Sequence, residues 1–168
     1  MYYSQIRKYD TANGIGIRTT LFVSGCTRNC LGCFNEEYKN FKNGNKWTEE
    51  VEEAFIEHIN QPQVQGVSIL GGEPMDQTAD KALSELLRNI RLRTGKSIWL
   101  YSGYLYEDLL QQKATFDILK YCDVLVDGPF MEDKQDYRLL FVGSSNQRLI
   151  DVQQSLVVDK VVLYAMPA

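Results

Sequence analysis

The sequence predicts a single-domain α/β fold built around a mainly parallel β-sheet. Segments typical of strands alternate with segments typical of helices, and helices between strands imply right-handed crossovers that leave neighbouring strands parallel. A chain of 168 residues fits one hydrophobic core, so we expect residues 1–168 to form one domain. The composition, 44% hydrophobic and 24% charged, is that of a globular protein able to bury such a core.

The first predicted strand and helix occupy the N-terminal third of the chain. Thr19 to Val23 is a short β-branched and aromatic run that ends at the turn pair Ser24-Gly25. Thr48 is a suitable helix N-cap, and glutamates follow it in the first turn. The helix is indicated by apolar residues at helical spacing, namely Val51, Ala54, Phe55 and Ile59.

Three further strands and a long helix are predicted in the rest of the chain. The strands are Val67 to Leu70, Ser97 to Tyr101 and Val124 to Val126. Gly95 ends the helix between the first two. The apolar face of that helix comprises Ala79, Ala82, Leu83, Leu86, Leu87 and Ile90. The tail from Tyr137 onward is predicted to be less regular.

The charge balance excludes several classes of function. Eighteen Lys and Arg against 22 Asp and Glu give a net charge of -4, which disfavours nucleic acid or an anionic membrane as the main partner. No apolar run has the length of a membrane span, and the N-terminus lacks the continuous apolar stretch of a signal peptide. We therefore expect a cytoplasmic protein.

The unusual sequence lies where the predicted strands end. Cys26, Cys30 and Cys33 follow the first strand, and a Gly-Gly-Glu-Pro turn at 71–74 follows the second. Ser102 and Asp127 stand at the ends of the third and fourth. Because the carboxyl ends of parallel strands meet at one edge of a sheet, these residues are expected to converge on one site.

The three clustered cysteines have the spacing C-x-x-x-C-x-x-C, which is typical of metal or redox chemistry in a reducing compartment. Structural zinc and ordinary iron–sulfur clusters use four protein ligands. We interpret Cys122, the fourth cysteine, as a small apolar core residue. Three ligands then leave one metal position open to a small molecule. A zinc or electron-carrying module that uses all four cysteines remains the alternative.

These residues carry a resemblance to a known family. The loop CTRNCLGC resembles the cluster loop of the radical S-adenosylmethionine (SAM) enzymes, and GGEP resembles their SAM-binding turn. The resemblance implies a reduced partial (β/α) barrel and a [4Fe-4S] cluster on Cys26, Cys30 and Cys33, with SAM on the open iron. Backbone atoms at Gly71 and Gly72 would approach the SAM ammonium.

The same resemblance implies the chemistry. Glu73 would add charge complementarity or orient the turn. Reductive cleavage of SAM would release a 5′-deoxyadenosyl radical that abstracts a hydrogen atom, with a flavodoxin-type electron donor and no catalytic side chain beyond the cluster and SAM.

A narrower resemblance comes from Gly32-Cys33-Phe34-Asn35, which is similar to the activating proteins of anaerobic ribonucleoside-triphosphate reductases, members of the glycyl-radical enzyme activating family. The stretches DTANGIGIRTTLFVSGC, WLYSGY, DVLVDGPF and GSSNQRLID agree with it. It implies that Gly32, Phe34 and Asn35 lie at the cofactor, and that the radical is passed to one glycine of the large reductase. Val142 departs from the pattern, in which an arginine is expected.

Several alternatives remain open. Ser102 and Asp127 would either contact the ribose or methionine of SAM or cap the strand ends. Arg18 and Asp10 would either order the cluster loop or meet the partner, but a solvated surface pair is the default expectation. The competing functions are a small-molecule radical SAM enzyme, such as one of deazaguanine synthesis, and the non-catalytic metal module.

Overall fold

A seven-stranded mixed β-sheet organises the protein in a computed structural model that describes residues 1–167. The strands of this part of the chain are β1 (Tyr2–Asp10), β2 (Arg18–Val23), β3 (Asn45–Lys46), β4 (Gly66–Gly71), β5 (Ser97–Tyr101), β6 (Val124–Asp127) and β7 (Arg148–Asp151). Its α-helices are α1 (Glu49–Ile59), α2 (Ala82–Thr94), α3 (Tyr106–Leu109), α4 (Lys113–Leu119) and α5 (Val152–Val158). Short 3-10 helices span Glu36–Lys39, Pro74–Asp76 and Glu132–Lys134.

The strands lie in the order β3-β1-β2-β4-β5-β6-β7. The four central strands β2, β4, β5 and β6 are parallel, as the sequence predicts, and helices connect them. Both flanks are antiparallel, so the sheet is mixed rather than mainly parallel. The reason lies in the connections, because the link from β1 to β2 is too short for a crossover helix and the one from β6 to β7 holds only a 3-10 helix.

The predicted central elements are confirmed with small shifts at their ends. The Thr48 hydroxyl caps α1 by accepting a hydrogen bond from the Val51 amide at 3.4 Å. Gly95 ends α2 in the left-handed region, with a φ of 63°. Helix α2 begins at Ala82, so the expectation that Ala79 belongs to it is wrong.

The sequence prediction misses elements at both ends of the chain. Strand β1 mixes aromatic and polar residues without an apolar run or a regular alternation, and most of it is only partly buried. The tail is more regular than expected, because it contains β7 and α5. The Asp151 side chain caps α5 by accepting a hydrogen bond from the Gln154 amide at 2.9 Å.

The two faces of the sheet have different roles. Alternate residues of a strand point to opposite faces, so Ile98 and Leu100 join the large core under the helices while Trp99 joins a smaller cluster on the other face. That smaller cluster includes Val124 and Val126. The sheet is thus buried on the helix side, and its other face is available to line a cavity.

The expectation that Arg18 and Asp10 form a solvated pair is wrong. Arg18 is 1% exposed and Asp10 is 7% exposed, and each bonds to other partners. The Asp10 carboxylate accepts hydrogen bonds from Thr20 and Asn13 at 2.7 and 2.6 Å. These bonds fix the segment between β1 and β2. No helix within residues 1–167 is long and apolar enough to cross a lipid bilayer.

Candidate functional site

A cavity of about 620 Å³ lies at the carboxyl ends of the parallel strands. It brings together most of the predicted site residues, as strand-end convergence requires. Its lining includes Cys26, Cys30, Cys33, Phe34, Asn35, Gly71, Gly72, Glu73 and Ser102. Two predicted residues, Gly32 and Asp127, are not among the lining residues.

The cysteine loop leaves β2 at Ser24 and is closed by main-chain bonds to the segment that follows it. The Gly25 amide donates to the Tyr38 carbonyl at 2.8 Å, and the Cys26 amide donates to the Lys39 carbonyl at 3.0 Å. All three thiols are half-buried and unpaired. Burial raises the pKa of the Cys26 thiol to about 11, so its thiolate form requires a bound cation.

The donor set suits a cluster better than a single ion. Within residues 1–167 no three Cys, His, Asp or Glu side chains are gathered closely enough to hold one metal ion. A multi-iron cluster binds each thiolate at a different iron, so its ligands stand farther apart than those of one ion. Three half-buried thiols around one cavity fit that requirement.

The Gly71-Gly72 turn packs directly against the start of the cysteine loop. The Gly72 amide donates to the Val23 carbonyl at 2.7 Å, and the Glu73 amide donates to the Gly25 carbonyl at 2.8 Å. A Cβ on Gly72 would lie 2.4 Å from the Gly25 carbonyl oxygen. Glycine is therefore required here by the close approach of the two loops.

Glu73 links the turn after β4 to the turn after β5. One carboxylate oxygen accepts hydrogen bonds from the Met75 amide at 3.0 Å and the Ser102 hydroxyl at 2.8 Å, and the other accepts from the Gly103 amide at 2.8 Å. The side chain is 3% exposed, and burial raises the pKa of this carboxyl to about 7. Glu73 therefore orients the turn, one of its two expected roles.

Asp127 is fully buried beneath the cavity. Its carboxylate accepts a hydrogen bond from the Tyr106 amide at 2.8 Å and another from Arg148 Nε at 2.9 Å. These contacts are those of a residue that caps the end of a strand, which is one of the two roles expected for Asp127. Ser102 makes a capping contact, because its oxygen accepts a hydrogen bond from the Tyr104 amide at 3.1 Å, and it also lines the cavity.

Phe34 lies at the mouth of the cavity. Its ring centroid is 4.8 Å from that of Phe130, and a Cβ on Gly143 would lie 3.3 Å from the Phe34 ring. Val142 also lines the cavity. The GSSNQ segment thus reaches the site, held there by the Gln147 amide group, which donates to the Gly128 carbonyl at 2.9 Å. Gly32 faces away, toward the Glu132 side chain.

Sequence reasoning misses the side chains that hold the cysteine loop. One Asp76 oxygen accepts hydrogen bonds from the amide and hydroxyl of Thr27 at 2.7 and 2.9 Å, and the other accepts from the Tyr104 hydroxyl at 2.9 Å. The Gln77 side-chain amide donates to the Gly25 carbonyl at 3.0 Å. The one available signal is that Asp76 and Gln77 lie within three residues of the end of the GGEP turn.

Cys122 lies away from the site. It precedes β6 at the amino end of the parallel strands and is fully buried in the core on the helix side. Its thiol contacts the Ile118 carbonyl at 3.7 Å. This position agrees with the interpretation of Cys122 as an apolar core residue and separates it from the other three cysteines.

Comparisons with known proteins agree with this geometry. Residues 12–150 match the family described as a 4Fe-4S single cluster domain. An anaerobic ribonucleoside-triphosphate reductase-activating protein of Vibrio cholerae is 36% identical over 150 residues, which cover 88% of this chain and 96% of that protein. The protein of the same name from Escherichia coli K12 is 37% identical with the same coverage. That of Enterobacteria phage T4 is 36% identical over 89% of this chain and 93% of its own length.

Proposed function

Because the chain belongs to the family of anaerobic ribonucleoside-triphosphate reductase-activating proteins, with a 4Fe-4S domain, we propose that it activates such a reductase by radical SAM chemistry. In this proposal Cys26, Cys30 and Cys33 hold a [4Fe-4S] cluster with one open iron, and SAM binds there. The substrate is one glycine of the reductase, which becomes a glycyl radical.

The observation that carries the proposal is the cavity itself. Three half-buried thiols, a glycine turn and a buried carboxylate line one space of about 620 Å³ at the carboxyl ends of β2, β4 and β5. The three thiols can hold a cluster without a fourth protein ligand, since Cys122 is at the opposite end of the strands. A fourth iron is then open to the amino and carboxylate groups of SAM.

The bound cluster and SAM together supply a 5′-deoxyadenosyl radical when one electron arrives. The chain's own residues bind and orient these groups. Gly71 and Gly72 present backbone without side chains toward the cavity, and Glu73 holds that turn against Ser102 and Gly103. A turn fixed in this way keeps the ligand in one orientation, which radical chemistry needs to avoid wrong hydrogen donors.

The mouth of the cavity supports a protein substrate. Large apolar side chains are exposed near it, with Leu31 77%, Phe34 61% and Tyr137 86% exposed. Phe34 and Tyr137 line the cavity itself. Exposed apolar residues around a polar site are typical of surfaces that contact another macromolecule. A flexible glycine segment of the reductase is the occupant that this proposal requires.

The proposal also includes a fold class, an electron donor and a cellular location. We take the fold as a single-domain partial (β/α) barrel in which the concave face of the sheet holds the cofactors. An electron donor of flavodoxin type is proposed because SAM cleavage needs a low-potential electron. Unpaired thiols and such an electron donor are compatible with a cytoplasmic location.

The test is to mix the anaerobically reconstituted protein with SAM, a reductant and the reductase, and to record the electron paramagnetic resonance spectrum. A glycyl doublet is expected, and it should vanish with Cys30→Ser or when the reductase glycine is replaced by alanine. SAM cleavage without the doublet would favour a small-molecule radical SAM enzyme. An intact cluster that neither binds nor cleaves SAM would overturn the proposal.

A further inference from the structure

Arg28 is a cation at the candidate site with no protein acceptor for its buried N–H. Its Nε atom is shielded from solvent and has no hydrogen-bond partner among residues 1–167. The described residues also give Arg28 no salt bridge. The terminal nitrogens of the half-buried guanidinium are not shielded in this way and also have no acceptor among the described residues, so in the cavity wall they are free to bind an anion.

The fold holds the guanidinium in place without using its hydrogen bonds. The group lies 4.7 Å from the centroid of the Tyr104 ring, a cation–π distance. A Cβ on Gly103 would lie 2.5 Å from Arg28 Nε, so the side chain packs directly over this glycine at the end of β5 and a larger residue there would displace it. Tyr104 is fixed in turn by its bond to Asp76. Arg28 is therefore positioned, and its donors remain unused.

Arg28 lies close to the cysteines that are proposed to hold the cluster. It lies on the loop between Cys26 and Cys30, and its amide is 3.4 Å from the Cys26 sulfur. With Cys30 and Phe130 it lines both the site cavity and a second cavity of about 700 Å³ on the outer side of the loop. The cation therefore stands in the wall beside the proposed cluster.

We infer that Arg28 binds the carboxylate of SAM and so sets the preference of the site for a ligand that carries an amino-acid carboxylate. The inference rests on the proposed function. A carboxylate brought next to the thiolate ligands meets like charge, and a fixed guanidinium offsets that repulsion. A guanidinium also presents paired donors that match the two oxygens of a carboxylate.

Arg7 is the competing candidate, since it is the other arginine among the lining residues of the site cavity. Its guanidinium lies 4.7 Å from the Phe22 ring centroid, on the exposed end of β1. It is separated from the cysteine loop in the chain and belongs to a strand on the flank of the sheet. The two arginines therefore make a matched pair of variants.

The experiment measures equilibrium binding of SAM and of decarboxylated SAM to the anaerobically reconstituted protein and to its Arg28→Gln and Arg7→Gln variants. Arg28→Gln should weaken SAM binding about tenfold and change the affinity for decarboxylated SAM less than about twofold, because only the first ligand loses a charge-assisted bond. Arg28→Lys, which keeps the charge without the paired donors, should lie between. Arg7→Gln should preserve the preference for SAM.

The outcomes separate this inference from the proposed function. No binding of SAM to the wild-type protein refutes the proposed function itself. Equal losses for both ligands in Arg28→Gln, or a loss of preference in Arg7→Gln instead, overturn the inference while the function stands. If Arg28→Gln leaves SAM binding unchanged and weakens only binding of the reductase, the anion belongs to the partner and the inference is wrong. Iron content and circular dichroism of each variant show that it is folded and loaded.

Discussion

The two ends of the parallel strands differ in whether their polar side chains have hydrogen-bond partners within the protein. At the amino ends, Arg18 is fully buried and donates five hydrogen bonds, to Ser68, Ile15, Val67 and twice to Ser97. Burial lowers the pKa of its guanidinium to about 10, which still leaves it charged near neutral pH. The protein alone satisfies this end of the sheet.

At the carboxyl ends the protein leaves polar groups unused. Of the buried side-chain atoms without a partner in residues 1–167, Arg28 Nε belongs to the cysteine loop, and Asn146 Oδ1 belongs to the loop that follows β6. The three clustered thiols are at the same end. The amino end therefore contributes to stability without a ligand, whereas the three thiols and the terminal N–H groups of Arg28 leave the carboxyl end able to bind one.

The largest expected difference between the two ends concerns the cysteines. Cys30→Ser should abolish iron binding and SAM cleavage, because two remaining thiolates no longer anchor the cluster. Cys122→Ala, at the amino ends, should retain iron and cost about 1 kcal/mol of stability from a small buried cavity. Iron and sulfide analysis after anaerobic reconstitution measures both. Iron retained by Cys30→Ser and lost by Cys122→Ala would reverse the comparison.

Arg18→Met should lower the free energy of unfolding by about 3–5 kcal/mol, because it leaves several buried oxygens without donors. Arg28→Gln should lower it by less than about 1 kcal/mol, since that side chain donates to no protein group. Urea unfolding of the two variants under identical anaerobic conditions gives both values. Similar losses of unfolding free energy in the two variants would contradict the view that Arg18 stabilises the fold and Arg28 does not.

Glu73 makes the carboxyl ends sensitive to pH. Its folded-state pKa is about 7 against an ordinary value of 4.5, so the folded protein holds this proton more tightly than the unfolded chain. Its contribution to stability is complete below about pH 4.5 and is lost as the pH rises through about 7, a change of about 3 kcal/mol. Unfolding of wild type and Glu73→Gln at pH 5 and pH 8 tests this. The wild type should lose stability relative to the variant at the higher pH, and a constant difference would contradict the assignment.

Local sequence signals were sufficient for the centre of the sheet and for the cysteine site. Short β-branched runs mark β2, β4, β5 and β6, and the order of strand ends brings the thiols and the glycine turn together. Strand β1 lacks such a run, and the mixed character of the sheet depends on how its flanks pair. Pairing at the flanks is a tertiary property that local periodicity does not report.

The supporting contacts of the site could not be predicted in the same way. Arginine is mostly exposed in proteins, so the sequence does not indicate that Arg18 is buried. Its partners Ser68 and Ser97 lie far along the chain, and only the folded structure brings them to it. The gap at Gly103 that admits Arg28 likewise depends on two loops meeting in space. The role of Asp127 was ambiguous for a different reason. Residues that cap strands and residues that bind ligands both occur at strand ends, so the position of Asp127 does not distinguish the two roles.

The smallest expected effect concerns the support of the cysteine loop. Tyr104→Phe removes the hydrogen bond to Asp76 and the 3.3 Å hydrogen bond with the Thr27 hydroxyl, and it keeps the ring beneath Arg28. Release of iron to a chelator should therefore be about two- to tenfold faster than in wild type. Asp76→Ala also removes both bonds to Thr27 and should accelerate the release further. If both variants release iron at the wild-type rate, the main-chain bonds at Gly25 and Cys26 and the Gln77 side chain are sufficient to hold the loop, and Asp76 and Tyr104 do not support it.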